Sequence, residues 1–242
     1  MNTKQIVPAL VAVTLLSLAP AAETLAIEAA RPAATAEKTA DAKPDAKPAE
    51  TKESAAKTTP EVQQARKAYD DGSYEEAFII VEPLAKLNHP DAEFLLGQMY
   101  ELGHGVQKDT EQAIALFTAA AGQGYAAAQA KLGQLHLEGK KDYSTAMSWF
   151  QKAADQGYAL AYSAIGDLYA NGYGVDQNKD KALDYYQKAA TAGDTDACLR
   201  LGKMYEQGKD VKADKTQAAF WYKKGADLGS SECAAALKKL DA

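Results

Sequence analysis

One glycine recurs at a nearly fixed interval, and that interval constrains the chain more than anything else in it. Gly97, Gly133, Gly166 and Gly202 stand 36, 33 and 36 residues apart, and each sits in a similar phrase. The phrases begin "DAEFLLGQMYELGHGV", "AAQAKLGQLHLEGK", "ALAYSAIGDLYANGYGV" and "TDACLRLGKMYEQGKDV". The shorter step comes from three residues missing after Gly139. A period of this size marks a solenoid of supersecondary units, each unable to bury its apolar face alone.

Each unit reads as two helices. In the first, Ala92, Leu96, Gly97 and Tyr100 share one helical face, as do Ala161, Ile165, Gly166 and Tyr169, and Ala197, Leu201, Gly202 and Tyr205. A glycine inside a helix costs up to about 1 kcal/mol relative to alanine. Four in register imply a neighbouring helix that approaches closely. Gly103, Gly139, Gly172 and Gly208 then read as C-caps. The second helix starts at Asp109, Asp142, Asn178 and Asp214, residues whose side chains accept from exposed backbone N–H groups. Aromatic residues follow: Phe117, Trp149-Phe150, Tyr185-Tyr186 and Trp221-Tyr222. Paired small residues come next, Ala120-Ala121, Ala153-Ala154, Ala189-Ala190 and Gly225-Ala226, and Gly124, Gly157, Gly193 and Gly229 stop the helix. The expected fold class is all-α, a right-handed α-solenoid of stacked helix-turn-helix repeats over 91–125, 126–158, 159–194 and 195–230. Residues 61–90 read as an atypical first repeat and 231–242 as a closing helix with Lys238 and Lys239 outward.

What precedes the repeats has a different character. Lys4, the apolar run Ile6–Leu18 and the small residues Ala19-Pro20-Ala21 form a secretory signal pattern over 1–26, with Ala26 as a later cleavage option. The run is too short for a membrane span of about 20 residues. Residues 27–60 mix Ala, Lys, Pro, Glu and Thr, with too little apolar surface to offset ordering entropy. They read as a disordered linker reaching on the order of 30 Å. The expected location is therefore periplasmic or secreted, with no stable membrane span after cleavage.

The formal net charge is −6, and residues 1–60 carry seven basic and seven acidic side chains, so the acidic excess belongs to the repeats. That excludes the basic face a nucleic-acid binder needs. His89, His104 and His136 have no His or Cys at ligand spacing. His136 fills the slot of Tyr100, Tyr169 and Tyr205 and reads as a packed ring; His104 lies in a glycine turn and reads as solvated. No phosphate-binding or nucleophile-elbow motif is present, so no catalytic residue, metal or cofactor is assigned. Trp149, Tyr185 and Trp221 share a slot with Leu116, which points to packing.

The strings "LGQMYELGHGV", "IGDLYANGYGV", "WFQKAADQGY" and "YYQKAATAGD" resemble the Sel-one-like repeat family, a relative of the tetratricopeptide repeats, over about residues 62–242. Repeat two lacks the G-x-G-V loop and repeat four has Asp210 at its second glycine, so both loops are expected to differ locally. The resemblance implies scaffold or adaptor work through protein–protein contacts, in exported bacterial members often in the envelope. It also implies a concave face built from four slots per repeat. Those slots hold Phe94, Gln98, Glu101 and Leu102; Ala130, Gln134, Leu137 and Glu138; Ser163, Asp167, Ala170 and Asn171; and Leu199, Lys203, Glu206 and Gln207. Phe94 and Leu199 are the expected apolar anchors, with Glu101, Asp167 and Glu206 favouring a protein or peptide partner that has basic residues around a hydrophobic one. The alternative is a binder or weak hydrolase of cell-wall-derived ligands, which needs a pocket of convergent polar groups.

Cys198 and Cys233 are the two cysteines, and an oxidising compartment can join them. They fall on adjacent stacked helices about one position out of register, where helix spacing of about 8–10 Å makes a bond marginal. Some exported relatives carry a cysteine four residues before the marker glycine, as Cys198 does, but the usual partner site holds Ala190.

Overall fold

The computed structural model describes residues 59–240. The expected signal segment and nearly all of the expected linker lie outside the described residues. Within them the chain is all-α. The helices are α1 (Pro60–Asp70), α2 (Tyr74–Lys86), α3 (Pro90–Leu102), α4 (Thr110–Gly122), α5 (Ala126–Leu135), α6 (Tyr143–Ala154), α7 (Ala159–Asn171), α8 (Lys179–Thr191), α9 (Thr195–Gln207), α10 (Lys215–Asp227) and α11 (Ser231–Leu240). Each packs on the next, and α1 also touches α3 as α9 touches α11. This is the α-solenoid expected from the period: four consecutive small cores instead of one large one.

The marker glycines explain the spacing of the helix pairs. A Cβ at Gly97 would stand 2.7 Å from the Phe117 ring, one at Gly133 2.7 Å from Phe150, and one at Gly166 2.6 Å from Tyr186; Gly202 meets Tyr222 in the same way. The close neighbour is thus an aromatic ring of the second helix in the same repeat, not the backbone of a stacked helix. Small buried residues share the clusters of two of these rings, Ala113, Ala120 and Ala121 with Phe117 and Ala182, Ala189 and Ala190 with Tyr186. Large side chains of one helix therefore fill space that small ones leave on its partner.

The helix ends follow local chemistry. Asp109 accepts from the backbone N–H groups of Glu111 and Gln112, Asp142 from Thr145, Asn178 from Lys181, and Asp214 from Thr216 and Gln217. Gly103, Gly172 and Gly208 close their helices with left-handed backbone at φ 75°, 69° and 66°. Gly139 does not. In that shorter repeat the chain runs on as a π-helical turn over His136–Lys140, and Lys141 takes the left-handed position at φ 51°. The wider turn lets the short loop land in register, because Asp142 N–H still donates to the His136 carbonyl as Asp109 N–H does to Tyr100.

The loops after α3, α7 and α9 dock backward onto the preceding repeat. A Cβ at Gly105 would lie 2.6 Å from the Tyr74 carbonyl oxygen, and one at Gly174 would strike Tyr143. Beside them His104 stacks on Tyr74 at 4.2 Å and shares a 3.0 Å hydrogen bond with the Tyr69 hydroxyl, while Tyr173 stacks on Tyr143 at 5.1 Å. His104 is therefore a half-buried docking ring, not a solvated one. The loop of repeat four, expected to differ, keeps the same path: Asp210 has φ 65°, close to the 72° of Gly105 and 70° of Gly174. There α8 begins with Lys179 where the other two begin with tyrosine, and a 2.5 Å ion pair between Lys179 and Asp210 replaces the ring stack.

In the first two full repeats the slot four residues before the marker glycine also bonds to the turn that precedes the next repeat. The Gln123 side-chain amide donates to Glu93 at 2.8 Å, and that of Gln156 donates to Gln129 at 2.8 Å. Glu93 is only 3% exposed, and burial pushes its carboxyl above the usual carboxylate range, partly opposed by the bond from Gln123.

Two outcomes follow from these contacts. Gly166→Leu drives a side chain into the Tyr186 ring, and overpacking of this kind costs about 1–3 kcal/mol. Helix propensity alone favours leucine by nearly 1 kcal/mol, so a melting temperature at or above wild type would remove the ring contact as the reason for the glycine. For Glu93 the raised folded-state pKa means that the neutral form suits the fold. Its contribution is greatest below the ordinary value of 4.5 and declines as pH rises through the folded value. Glu93→Gln, always neutral and still able to accept from Gln123, should melt above wild type at neutral pH. The difference should shrink toward pH 4 in a pH series of melts.

Candidate protein-binding face

The residues assigned to the binding face come from the first helices, α3, α5, α7 and α9, and the structure divides them into three groups. Phe94 and Leu199, the expected anchors, are half-buried. Phe94 packs its ring on Phe117 and Tyr125 at 5.5 and 5.3 Å, and Leu199 packs on the cluster of Leu201, Cys198 and Trp221. Ser163 donates to Asp194, the N-cap of α9, and Leu137 packs on the core around Phe150 and Ile165. These side chains serve packing first, because the slot three before the glycine lies at the seam with the next repeat.

A second group links neighbouring repeats across the face. Glu101 pairs with Lys131 at 2.8 Å, and Asp167 pairs with Arg200. Lys131 and Arg200 stand two residues before their marker glycines, where the other repeats carry Leu95 and Ala164. Each also lies over the ring beneath the preceding glycine, Lys131 5.7 Å from Phe117 and Arg200 4.7 Å from Tyr186. The Tyr186 hydroxyl donates to Asp167 at 2.8 Å and accepts from Arg200 at 3.0 Å, and Tyr222 donates to Glu206 at 2.6 Å. Burial raises both tyrosine pKa values well above normal, and the carboxylates add to it. Both hydroxyls therefore remain donors. Burial works against the Arg200 charge, but Asp167 and Tyr186 outweigh it.

The third group is open to solvent: Leu102 at 54% exposure, Gln134, Asn171, Lys203, Glu206 and Gln207. Gln134 is occupied within its own turn by Glu138 at 2.8 Å, and Asn171 by the Asp167 carbonyl at 2.8 Å. Gln98 is half-buried. Between α7 and α9 the face opens into a cleft of about 380 Å³, with Asp167, Asn171, Lys179, Arg200, Met204 and Asp210 among its lining. Asp167 and Asn171 were legible as face residues. Arg200, Lys179 and the Tyr186 hydroxyl were not, although the alternation of Leu95, Lys131, Ala164 and Arg200 in one slot was a signal for the first.

Cys198 and Cys233 are both buried free thiols. His136, in its tyrosine slot, is half-buried with Nδ1 3.7 Å from Asp142. Among the described residues no group of three or more His, Cys, Asp or Glu side chains converges as a metal site would, and no helix is long and apolar enough to cross a membrane.

Comparison with known proteins agrees with this architecture. The Sel1 repeat family model matches residues 90–125, 126–158, 159–194 and 195–230. A Sel1 repeat protein from Oxalobacter formigenes is 37% identical with a TM-score of 0.65, over 72% of this chain and 74% of that one. An SLR-fold protective antigen present in uropathogenic Escherichia coli strains is 32% identical with a TM-score of 0.61, over 74% of this chain but only 40% of that one. A putative Sel1 repeat protein from Klebsiella pneumoniae, 21% identical with a TM-score of 0.51 over 80% of this chain and 97% of its own, shares the fold. The curated proteins give no match. With four repeats matched over more than half of its length, and the same glycine-and-ring unit in each, the chain belongs to the Sel1 repeat family.

Proposed function

We propose that the chain is an exported scaffold that holds a segment of a partner protein on the face formed by α3, α5, α7 and α9, within the bacterial envelope. Sel1 repeat proteins generally mediate protein–protein interactions. The observation that carries the reading here is the cleft between α7 and α9. Four of its charges are held in the pairs Asp167–Arg200 and Lys179–Asp210, its lining includes Met204 and Ala170, and the exposed Leu102 lies on the same face two repeats away. Polar groups held in place around a few apolar contacts are what a selective interface needs. The acidic excess of the chain suits a partner with basic residues flanking a hydrophobic one. The signal pattern of residues 1–26 supports export.

Two measurements test this. A partner is isolated from envelope extract with the full chain as bait, and the purified pair is titrated by calorimetry. Leu102→Asp and Arg200→Ala should each weaken binding by more than about 1 kcal/mol. Melting should barely shift, since Leu102 is exposed and half-exposed ion pairs contribute less than about 1 kcal/mol. Ile114→Asp on α4 serves as the control; if it alone weakened binding, the interface would lie on the second helices. For export, protein from the periplasm of the native host should begin near Ala22 or Ile27, and intact Met1 in a soluble cytoplasmic fraction would refute it.

A further inference from the structure

The last repeat breaks the small-residue pattern at one place. The slot held by Ala120, Ala153 and Ala189, all fully buried, is Gly225 in α10. No left-handed backbone asks for glycine there, since Gly225 lies inside the helix. What asks for it is sulfur. A Cβ at Gly225 would strike Cys233 Sγ, lie 2.9 Å from Cys233 Cβ and lie 3.0 Å from Cys198 Cβ. Both cysteine Cβ atoms thus sit within one short radius of the same point, no more than about 6 Å apart, and a disulfide needs about 3.5–4.5 Å. The two side chains come from α9 and α11 and meet across α10, which gives up its methyl group where they meet. The one-position offset in register does not separate them, because the missing Cβ lets α9 and α11 approach each other over Gly225.

α11 has a reason to need such a link. Cys233 is its one buried residue among those described, so the final helix is held by little apolar contact and opens more easily than the helices before it. The docked thiols are sealed from solvent, and burial, with Cys233 alongside, pushes the Cys198 thiol up to about 11. Reaction of the pair would therefore take place while α11 is lifted or before it docks, when the Cys198 thiol is no longer held up by burial.

We propose that Cys198 and Cys233 form an intramolecular disulfide across Gly225 that staples α11 to α9, made by exchange with a disulfide oxidant. The thiolate of Cys233 attacks one sulfur of the oxidant, forming a mixed disulfide and releasing one thiol. The thiolate of Cys198 then attacks the Cys233 sulfur and releases the second. Two protein thiols and one disulfide give one protein disulfide and two thiols, so electrons and protons balance. The chemistry depends on an oxidant and not on the partner face, so it stands or falls apart from the binding proposal.

The full chain, reduced and then incubated with oxidised glutathione, is unfolded in N-ethylmaleimide and examined by intact mass and peptide mapping. The expected product has lost two hydrogens, carries no maleimide or glutathione, and yields one cross-linked peptide pair holding Cys198 and Cys233. It should melt about 5 °C or more above the reduced chain. Cys198→Ser and Cys233→Ser should show no such oxidant-dependent rise, and each should end with one capped cysteine. Gly225→Ala, shown by circular dichroism to remain helical, should form the cross-link more slowly. Recovery of two capped cysteines from the oxidised wild-type chain would overturn the proposal, as would a cross-linked chain that melts no higher than the reduced one.

Discussion

An aromatic ring packed against a glycine is the contact on which each repeat depends. Phe117, Phe150, Tyr186 and Tyr222 occupy the space that a side chain at Gly97, Gly133, Gly166 and Gly202 would fill. The ring sets how closely the two helices of a pair approach. It also buries a large apolar surface in a unit whose other core residues are mostly alanine. With tyrosine in place of phenylalanine in the last two repeats, the same ring carries a hydroxyl through to the other side of the first helix, where it meets Asp167 or Glu206. Core and outer face are thus built from one residue: what fixes the helix pair also orients an acidic side chain on the surface.

That coupling decides what could be read from sequence. The period is carried by the marker glycines alone, and the N-caps and the buried face of each first helix are local to one repeat, so none of them depends on a contact between repeats. Contacts between repeats were harder. Phe94 looks like an exposed apolar residue in a slot otherwise held by alanine, serine and leucine. Its burial comes from Tyr125 in the adjoining loop as well as from Phe117 in its own repeat. His104 looks solvated in a glycine turn until Tyr69 and Tyr74 of the preceding unit close on it. Asp210 looks like a broken motif until Lys179 supplies the opposite charge. In each case the deciding partner lies about 30 residues away, and its identity changes from repeat to repeat.

The cross-face pairs show the same logic at lower energy. Lys131 and Arg200 each serve an acid of the preceding repeat and a ring beneath it, in alternate repeats only. The half-exposed Asp167–Arg200 pair contributes about 1 kcal/mol or less to stability. The effect of both pairs is geometric: they hold Glu101 and Asp167 in fixed places, and they leave the junction of α5 and α7 to smaller and apolar residues such as Leu137 and Ala164.

The backward docking of the loops gives the array a direction. The turn at Gly105 holds the start of α2, the turn at Gly174 holds the start of α6, and Asp210 holds the start of α8. These three starts are therefore latched by the repeat that follows, while the start of α4, followed by the π-helical turn of the shorter repeat, is not among them. No later turn among the described residues latches the start of α10. A chain emerging from the ribosome would therefore close each of these three latches only once the following repeat has been made.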